Sequence, residues 1–208
     1  MRKLRYIIEY FVNIFLGPRD YFDFMSDIGG DRIEAVLLVI ASGIVYGFLN
    51  SSRSLVVSGI GEYATVNSLR GAIPVFASNF VSGYLFFGII FTVLIVTGYL
   101  TAFLTGLKSF EKTFFAFCYS SPGINVYIGF LLIYELFRKL IVGFPLIKYL
   151  LALIALIYIG YLSSRGIEAF HETTWRKSIL VGMIPVLLII LAQVALAISV
   201  MYAMLSAI

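Results

Sequence analysis

The chain has 208 residues, of which 61% are hydrophobic and only 12% are charged, and its mean hydropathy is +1.02. A water-soluble domain carries roughly 25% charged residues, so this composition excludes a soluble fold and indicates that lipid surrounds most of the protein. One cysteine and one histidine leave no disulfide framework and no multi-histidine metal site. The net charge of +4 contains no long basic run, which favours a membrane-topology signal over a nucleic-acid-binding surface.

The first 30 residues are predicted to form two amphipathic helices at the membrane surface. Four polar residues between Arg2 and Asn13 recur at helical spacing and share one stripe, while apolar side chains cover the rest of that helix. A helix of this kind is expected to lie in the headgroup plane. Gly17 and Pro18 fit the end of this helix and the start of the next one.

The second of these helices has an acidic stripe, formed by Asp20, Asp23 and Asp27, opposite an apolar face. We assign the stripe as a candidate partner-binding surface. The alternative is the hydrated side of an interfacial helix, which the strongly apolar opposite face favours. Asp31 followed by Glu34 resembles a capping box at the start of the first spanning helix.

Five long apolar segments follow, and each is long enough to cross a bilayer, which takes about 20 residues of helix. We place them at about 32–50, 77–106, 113–134, 140–162 and 178–204. The predicted fold class is all-α, a polytopic membrane bundle of five transmembrane helices preceded by interfacial helices. Residues 1–30 form the interfacial part and residues 31–208 the transmembrane domain. Segment 51–71 is a connecting loop in this scheme, with re-entry into the membrane left open.

The positive charges predict the orientation of the chain. Ten of the fifteen Lys and Arg residues lie in the N-terminal segment, the loop after the second span and the loop after the fourth. Cytoplasmic loops carry the excess of Lys and Arg in membrane proteins. We therefore expect a multi-pass protein of the cell membrane with a cytoplasmic N-terminus and an external C-terminus.

Small residues in two spans are candidates for close helix packing. Gly43 and Gly47 in the first span, and Ala195 and Ser199 in the last, are spaced by four residues. Small side chains let helix backbones approach each other in lipid. Packing within the bundle is the preferred interpretation, and a homodimer interface is the alternative.

Polar residues within the spans are functional candidates by default. Asn79, Asn125 and Gln193 are neutral and few, which suits interhelical hydrogen bonds better than a proton relay, although a transport path would use the same residues. Pro122 in the third span is expected to kink the helix and to free a backbone carbonyl near Cys118.

The remaining polar residues have structural interpretations. Glu135 is expected in an interfacial loop. Glu168, His171 and Glu172 form a run that holds a metal only with ligands from other helices, and the sequence has no second such run, so no metal and no cofactor are predicted. Three threonines of the second span are expected to donate to carbonyls of their own helix: Thr97, Thr101 and Thr105.

Residues spread over about 17–190 resemble the pattern of a known membrane family. The matching residues, in chain order, are Gly17, Pro18, Tyr21, Phe22, Leu107, Lys108, Phe110, Lys112, Tyr119, Ser120, Pro122, Tyr158, Tyr161, Gly166, Ile167, His171, Trp175, Lys177 and Pro185. In these residues the chain is similar to Yip1-domain proteins, a five-span family of eukaryotic secretory membranes that is also widespread in bacteria and archaea.

The resemblance implies five spans and a cytoplasmic N-terminus. It gives Pro18, Tyr119, Pro122, Gly166 and His171 as family-motif residues. For eukaryotic members it implies binding to prenylated Rab-type GTPases and a role in vesicle traffic. This chain has only about 30 residues before its first span, where eukaryotic members have a long hydrophilic segment. The difference favours a prokaryotic-type member and leaves GTPase binding as a distant analogy.

No nucleophile–base pair, carboxylate dyad or metal set emerges from the sequence, so no enzymatic activity is predicted. We expect an integral membrane protein that organises or scaffolds a membrane through protein partners or lipids. The alternative is a small-solute or ion transporter or channel, which an ionisable residue well inside the bundle would favour.

Overall fold

The structure, a computed structural model, describes the backbone of residues 12–58, 66–137 and 145–206. This part of the chain is almost entirely helical and contains no strand, which confirms the predicted all-α class. Five of its helical stretches are long and apolar enough to cross a membrane, as predicted: Arg32–Val57, Ala72–Leu104, Phe110–Phe137, Ile147–His171 and Trp175–Ala195.

We label the helices in chain order. They are α1 (Pro18–Asp27), α2 (Arg32–Ser58), α3 (Val66–Leu104), α4 (Phe110–Ser120), α5 (Ile124–Phe137), α6 (Pro145–His171) and α7 (Trp175–Ser206). The third span consists of α4 and α5, which a 3₁₀ turn at Ser121–Gly123 joins. Helix α2 packs against α3 and α5, while α6 packs against α4 and α7. The buried apolar side chains of these helices form one core.

The first span is longer than the sequence predicts. Helix α2 continues to Ser58 and α3 already begins at Val66, so most of the expected 51–71 loop is helical, and residues 59–65 lie outside the described part. Hydroxyls in the expected loop are bonded to helix carbonyls. Ser51 Oγ donates to the carbonyl oxygen of Gly47 in its own helix and to that of Phe76 in α3, each at 3.0 Å.

The start of α2 is capped as predicted. The Asp31 Oδ1 atom accepts hydrogen bonds from the backbone amides of Ile33 at 2.6 Å and of Glu34 at 3.2 Å. These amides have no partner inside the helix, so the side chain of Asp31 fixes where the first span begins.

The N-terminal helices are not a separate layer. In α1 the side chains of Tyr21, Phe22 and Met25 are buried in the same core as the spans, and α1 packs against α6. Residues 12–16 are also helical, and the Phe15 ring stacks on Tyr158 of α6 at 6.3 Å. The described part of the predicted interfacial segment therefore packs against the bundle, because part of its apolar face meets α6. Residues 1–11 lie outside the described residues.

Pro122 is the second residue of the 3₁₀ turn in the middle of the third span. The expectation of a free carbonyl near Cys118 is wrong, because the Ser121 amide donates to the Cys118 carbonyl oxygen. The 3₁₀ geometry moves the donor one residue closer along the chain and so replaces the amide that proline lacks. The turn is held against α2 by the hydroxyls of Ser42 and Ser121, which lie 3.1 Å apart.

The three threonines of the second span behave as predicted. Each hydroxyl donates to the carbonyl oxygen four residues earlier in α3, at 2.5 Å for Thr97, 2.8 Å for Thr101 and 3.0 Å for Thr105. These bonds satisfy the hydroxyls inside the helix, so the threonines need no partner on another helix.

Candidate functional site

Tyr119 lies at the centre of the end of the bundle where α1 docks. It is fully buried, and its ring stacks on Phe170 of α6 at 5.8 Å and meets Tyr21 of α1 edge-on at 6.4 Å. Its hydroxyl accepts from the Asp31 amide at 3.1 Å and donates to the Asp31 carbonyl at 3.3 Å. One side chain of α4 therefore contacts α1, the start of α2 and the end of α6.

Gly166 sets the distance between α4 and α6. A Cβ atom at this position would lie 2.9 Å from the carbonyl oxygen of Ala116 and 3.1 Å from its Cα atom. The obstacle is helix backbone, which cannot rotate away as a side chain can. A residue without a side chain is therefore needed for the two helices to approach this closely.

His171 connects the end of α6 to the start of α4. Its Nε2 atom lies 3.0 Å from the Thr113 hydroxyl, which itself donates to the Ser109 carbonyl at 3.0 Å. The tautomer of His171 decides which of the two atoms donates in this pair.

The acidic neighbours of His171 have separate partners. Glu168 pairs with Arg165 at 2.7 Å and Glu172 with Lys112 at 3.6 Å. Within the described residues no three His, Cys, Asp or Glu side chains come together in a way that could hold a metal.

Pro18 occupies the first turn of α1, next to the Gly17 cap. Its fixed backbone angle suits the start of a helix, where a missing amide costs nothing. Together with Tyr119, Gly166 and His171, it lies at the end of the bundle that holds α1. We call Pro18, Asp31, Tyr119, Gly166, Phe170 and His171 the motif cluster.

The acidic stripe is on the outer side of α1. Asp20, Asp23 and Asp27 are all exposed. The one ion pair of the stripe among the described residues is a long contact of 3.8 Å between Asp23 and Arg19. Two large apolar side chains interrupt the stripe and are also exposed, Phe24 at 58% and Ile28 at 54%. This surface has acidic and apolar groups side by side, and the motif cluster holds it in place from behind.

The small residues of the first span face another helix. Added Cβ atoms would lie 2.9 Å from the Tyr84 ring at Gly43 and 2.9 Å from the Phe80 carbonyl oxygen at Gly47, so both glycines adjoin α3. In the last span Ala195 and Ser199 are exposed on α7, because the described bundle has no helix over that face. A homodimer through these two residues stays a prediction.

The three neutral polar candidates do not share one environment. The Asn79 amide donates to the Val75 carbonyl in its own helix at 2.8 Å, while Asn125 is 92% buried and Gln193 is exposed. The side-chain polar atoms of Asn125 have no hydrogen-bond partner among the described residues. A transport path through these residues stays a prediction.

The residues that the sequence did not reveal are Arg53 and Glu135. Glu135 lies in α5 and is 9% exposed, so the expectation of an interfacial loop is wrong: α5 continues to Phe137 and turns this side chain towards α2. Its Oε1 atom lies 3.7 Å from the Arg53 guanidinium. A sequence signal did exist, since Tyr46, Asn50 and Arg53 recur at helical spacing, but it required α2 to extend beyond residue 50.

Arg53 lines a cavity of about 370 Å³ between α2, α3 and α5. Polar side chains on its wall come from Tyr46, Asn50 and Tyr127, and apolar ones from Phe86 and Leu131. We call this space the Arg53 cavity. It lies at the end of the bundle opposite α1, because Arg53 is near the end of the helix that Asp31 starts.

The comparisons with curated proteins and with solved structures found no match. The sequence model of the Yip1 domain family matches residues 12–197 of this chain. This range includes α1, all five spans and the whole motif cluster. The chain therefore belongs to the Yip1 domain family and is a multi-pass integral membrane protein.

Proposed function

We propose that the protein is a membrane organiser or scaffold that presents the outer surface of α1 to a protein partner. The observation that carries the proposal is the position of Tyr119, which contacts α1, the start of α2 and the end of α6 at once. The Yip1 family is not known as enzymatic. In the motif cluster the polar side chains bond to neighbouring parts of the chain, which suits a role in holding helix ends.

The chemistry of α1 supports a partner with a basic and apolar surface. Three exposed carboxylates lie beside the exposed side chains of Phe24 and Ile28. Opposite charges steer and orient a partner, whereas buried apolar side chains supply most of the binding free energy. Arg19, Arg32 and Lys112 are near the same end of the bundle, which supports a cytoplasmic location of α1 in the cell membrane.

Photocrosslinking in native membranes tests this proposal. Phe24 is replaced by a photoreactive phenylalanine analogue, and Phe103 of α3, which is 53% exposed near the same end, serves as the control site. We expect a reproducible protein adduct at position 24, absent at 103, that is lost when Asp20 and Asp27 are both changed to Asn. An adduct that is the same at both sites, or that ignores the two substitutions, would contradict the proposal.

A second candidate function is transport of a small solute or ion, which the Arg53 cavity favours. An ionised pair inside a spanning bundle is a common mark of a substrate pathway, and the Arg53–Glu135 pair lines or adjoins a cavity. Its test is flux in proteoliposomes. Selective flux that is lost in Arg53→Gln and retained in Arg32→Gln would place transport ahead of the scaffold role.

A further inference from the structure

Among the described residues, Arg53 has few hydrogen-bond partners. Its side chain is 27% exposed, and its nearest acidic contact, Glu135 Oε1, lies 3.7 Å from the terminal nitrogen, beyond hydrogen-bond distance. The Nε atom is buried and has no partner among the described residues. A guanidinium has five donors, and leaving buried donors unsatisfied is costly. An unsatisfied group of this kind can bind an acceptor that is not among the described residues.

The walls of the Arg53 cavity offer further donors for the same acceptor. The Asn50 amide uses one hydrogen for the Asn79 carbonyl at 2.9 Å and retains a second. Tyr46 and Tyr127, whose hydroxyls can donate as well, line the same cavity. Because every one of these groups can donate, the cavity suits a ligand with several negatively charged oxygens.

The position of the cavity along the bundle indicates where such a ligand would come from. Arg53 follows Arg32, the first residue of α2, by 21 residues, which is about 30 Å along a helix. The hydrocarbon core of a bilayer has the same thickness, about 30 Å. If Arg32 and Glu111, an exposed ion pair, lie at one boundary of the hydrocarbon, then Arg53 lies near the other, where lipid phosphates are found.

Apolar groups complete the site. Phe86 and Leu131 form part of the wall, and Phe86 is 47% exposed towards the outside of the bundle, next to the 60% exposed Leu85. These groups would contact acyl chains while the polar wall contacts a headgroup. A free anion has no apolar surface to bury against these side chains, so they would add nothing to its binding free energy.

We propose that the Arg53 cavity binds the phosphate group of a phospholipid, with Arg53 and Asn50 donating to its oxygens and the acyl chains lying along Phe86 and Leu131. Arginine recognises phosphate through paired N–H donors. Glu135 neutralises Arg53 when the site is empty and repels the phosphate when it is filled. The site is at the opposite end of the bundle from α1, so it does not depend on the scaffold proposal.

The test is a titration of the purified full chain, in detergent, with dihexanoyl phosphatidylglycerol. Binding is measured as a rise in melting temperature, followed by maleimide labelling of Cys118, which is the single cysteine and fully buried. Dihexanoylglycerol, which lacks the phosphate, and inorganic phosphate are titrated in parallel. We expect a saturable rise with the phospholipid and none with the other two.

Three variants assign the effect to the cavity. Arg53→Gln should weaken phospholipid binding about 10- to 100-fold, the effect of losing charge-assisted hydrogen bonds. Glu135→Gln should strengthen it, because the like charge is removed. Arg32→Gln, which removes an exposed arginine at the other end, should leave it unchanged. The opposite directions at Arg53 and Glu135 separate a binding effect from a general loss of stability.

Two kinds of result would overturn the inference. Equal binding of dihexanoylglycerol, or unchanged binding in Arg53→Gln, would show that no phosphate contact exists in the cavity. Saturable binding of inorganic phosphate that displaces the phospholipid and depends on Arg53 would assign the site to a free anion and refute the lipid as its ligand. Neither result depends on flux or on partner crosslinking, so the lipid site can fail while the proposed functions stand.

Discussion

Gly166→Ala is the smallest change that tests the contact between α4 and α6. The new methyl group would lie 2.9 Å from the Ala116 carbonyl oxygen, whereas ordinary contact begins at 3.4 Å, so the helices must separate by about 0.5 Å. Overpacking of this kind costs about 1–3 kcal/mol. Alanine in place of glycine within a helix returns about 0.5–1 kcal/mol. We expect a net loss of up to about 2.5 kcal/mol in the free energy of unfolding, centred on roughly 1 kcal/mol.

Gly88→Ala is the matched control, because nothing lies within 4 Å of an added Cβ atom there. This variant has the higher helix propensity of alanine and no steric clash with a neighbouring helix. Its free energy of unfolding should therefore be unchanged or higher by up to about 1 kcal/mol. The melting temperature is read from maleimide labelling of the buried Cys118. A change of 1 kcal/mol corresponds to about 2–4 °C in a chain of this size.

The difference in melting temperature between Gly166→Ala and Gly88→Ala tests whether α4 and α6 are in close contact. The close contact at Ala116 predicts that Gly166→Ala melts below the wild type and Gly88→Ala at or above it. If Gly166→Ala is as stable as Gly88→Ala, α4 and α6 do not approach as closely as described, and the argument for the motif cluster fails at this residue.

Three further substitutions address the same end of the bundle and the first span. Tyr119→Phe keeps the ring but loses both hydroxyl bonds to Asp31, so it should cost about 1–2 kcal/mol in the SDS-unfolding free energy; no loss would mean that the hydroxyl is not bonded there. Asp31→Ala removes the cap of α2 and should cost about 1 kcal/mol in the same assay, whereas Asp31→Asn should largely retain the cap. Gly43→Leu should lower the melting temperature because a Cβ atom already meets Tyr84 at 2.9 Å; a well-folded monomer, seen by light scattering, would instead support a dimer interface at Gly43.

The fold could be predicted largely from the sequence because its determinants are local. A run of apolar residues either is or is not long enough to cross a bilayer, and Asp31 caps the helix that begins at the next residue. The end of the first span was placed too early for a physical reason. Ser51 is a typical turn residue, but here it bonds to the Phe76 carbonyl, a partner 25 residues away that the local pattern does not contain.

The candidate sites were less accessible to sequence reasoning because they depend on contacts between distant segments. Tyr119 and Asp31 are 88 residues apart in the chain, so the family pattern named Tyr119 without indicating what it binds. The pairing of Arg53 with Glu135 joins α2 to α5 and needed both helix ends to be correct first. Charges near a predicted helix end were interpreted as interfacial, although these two face each other inside the bundle.

The central claim is that the motif cluster holds α1 against the bundle, and amide hydrogen exchange of the reconstituted protein tests it most directly. In the wild type, the amides of α1 and of Asp31 should be protected, because Tyr21, Phe22 and Met25 are buried and the Asp31 amide donates to Tyr119. In Tyr119→Ala, exchange should accelerate in segment 18–31 while the Trp175–Ala195 span stays protected. Fast exchange of α1 in the wild type, or an unchanged pattern in the variant, would contradict the account.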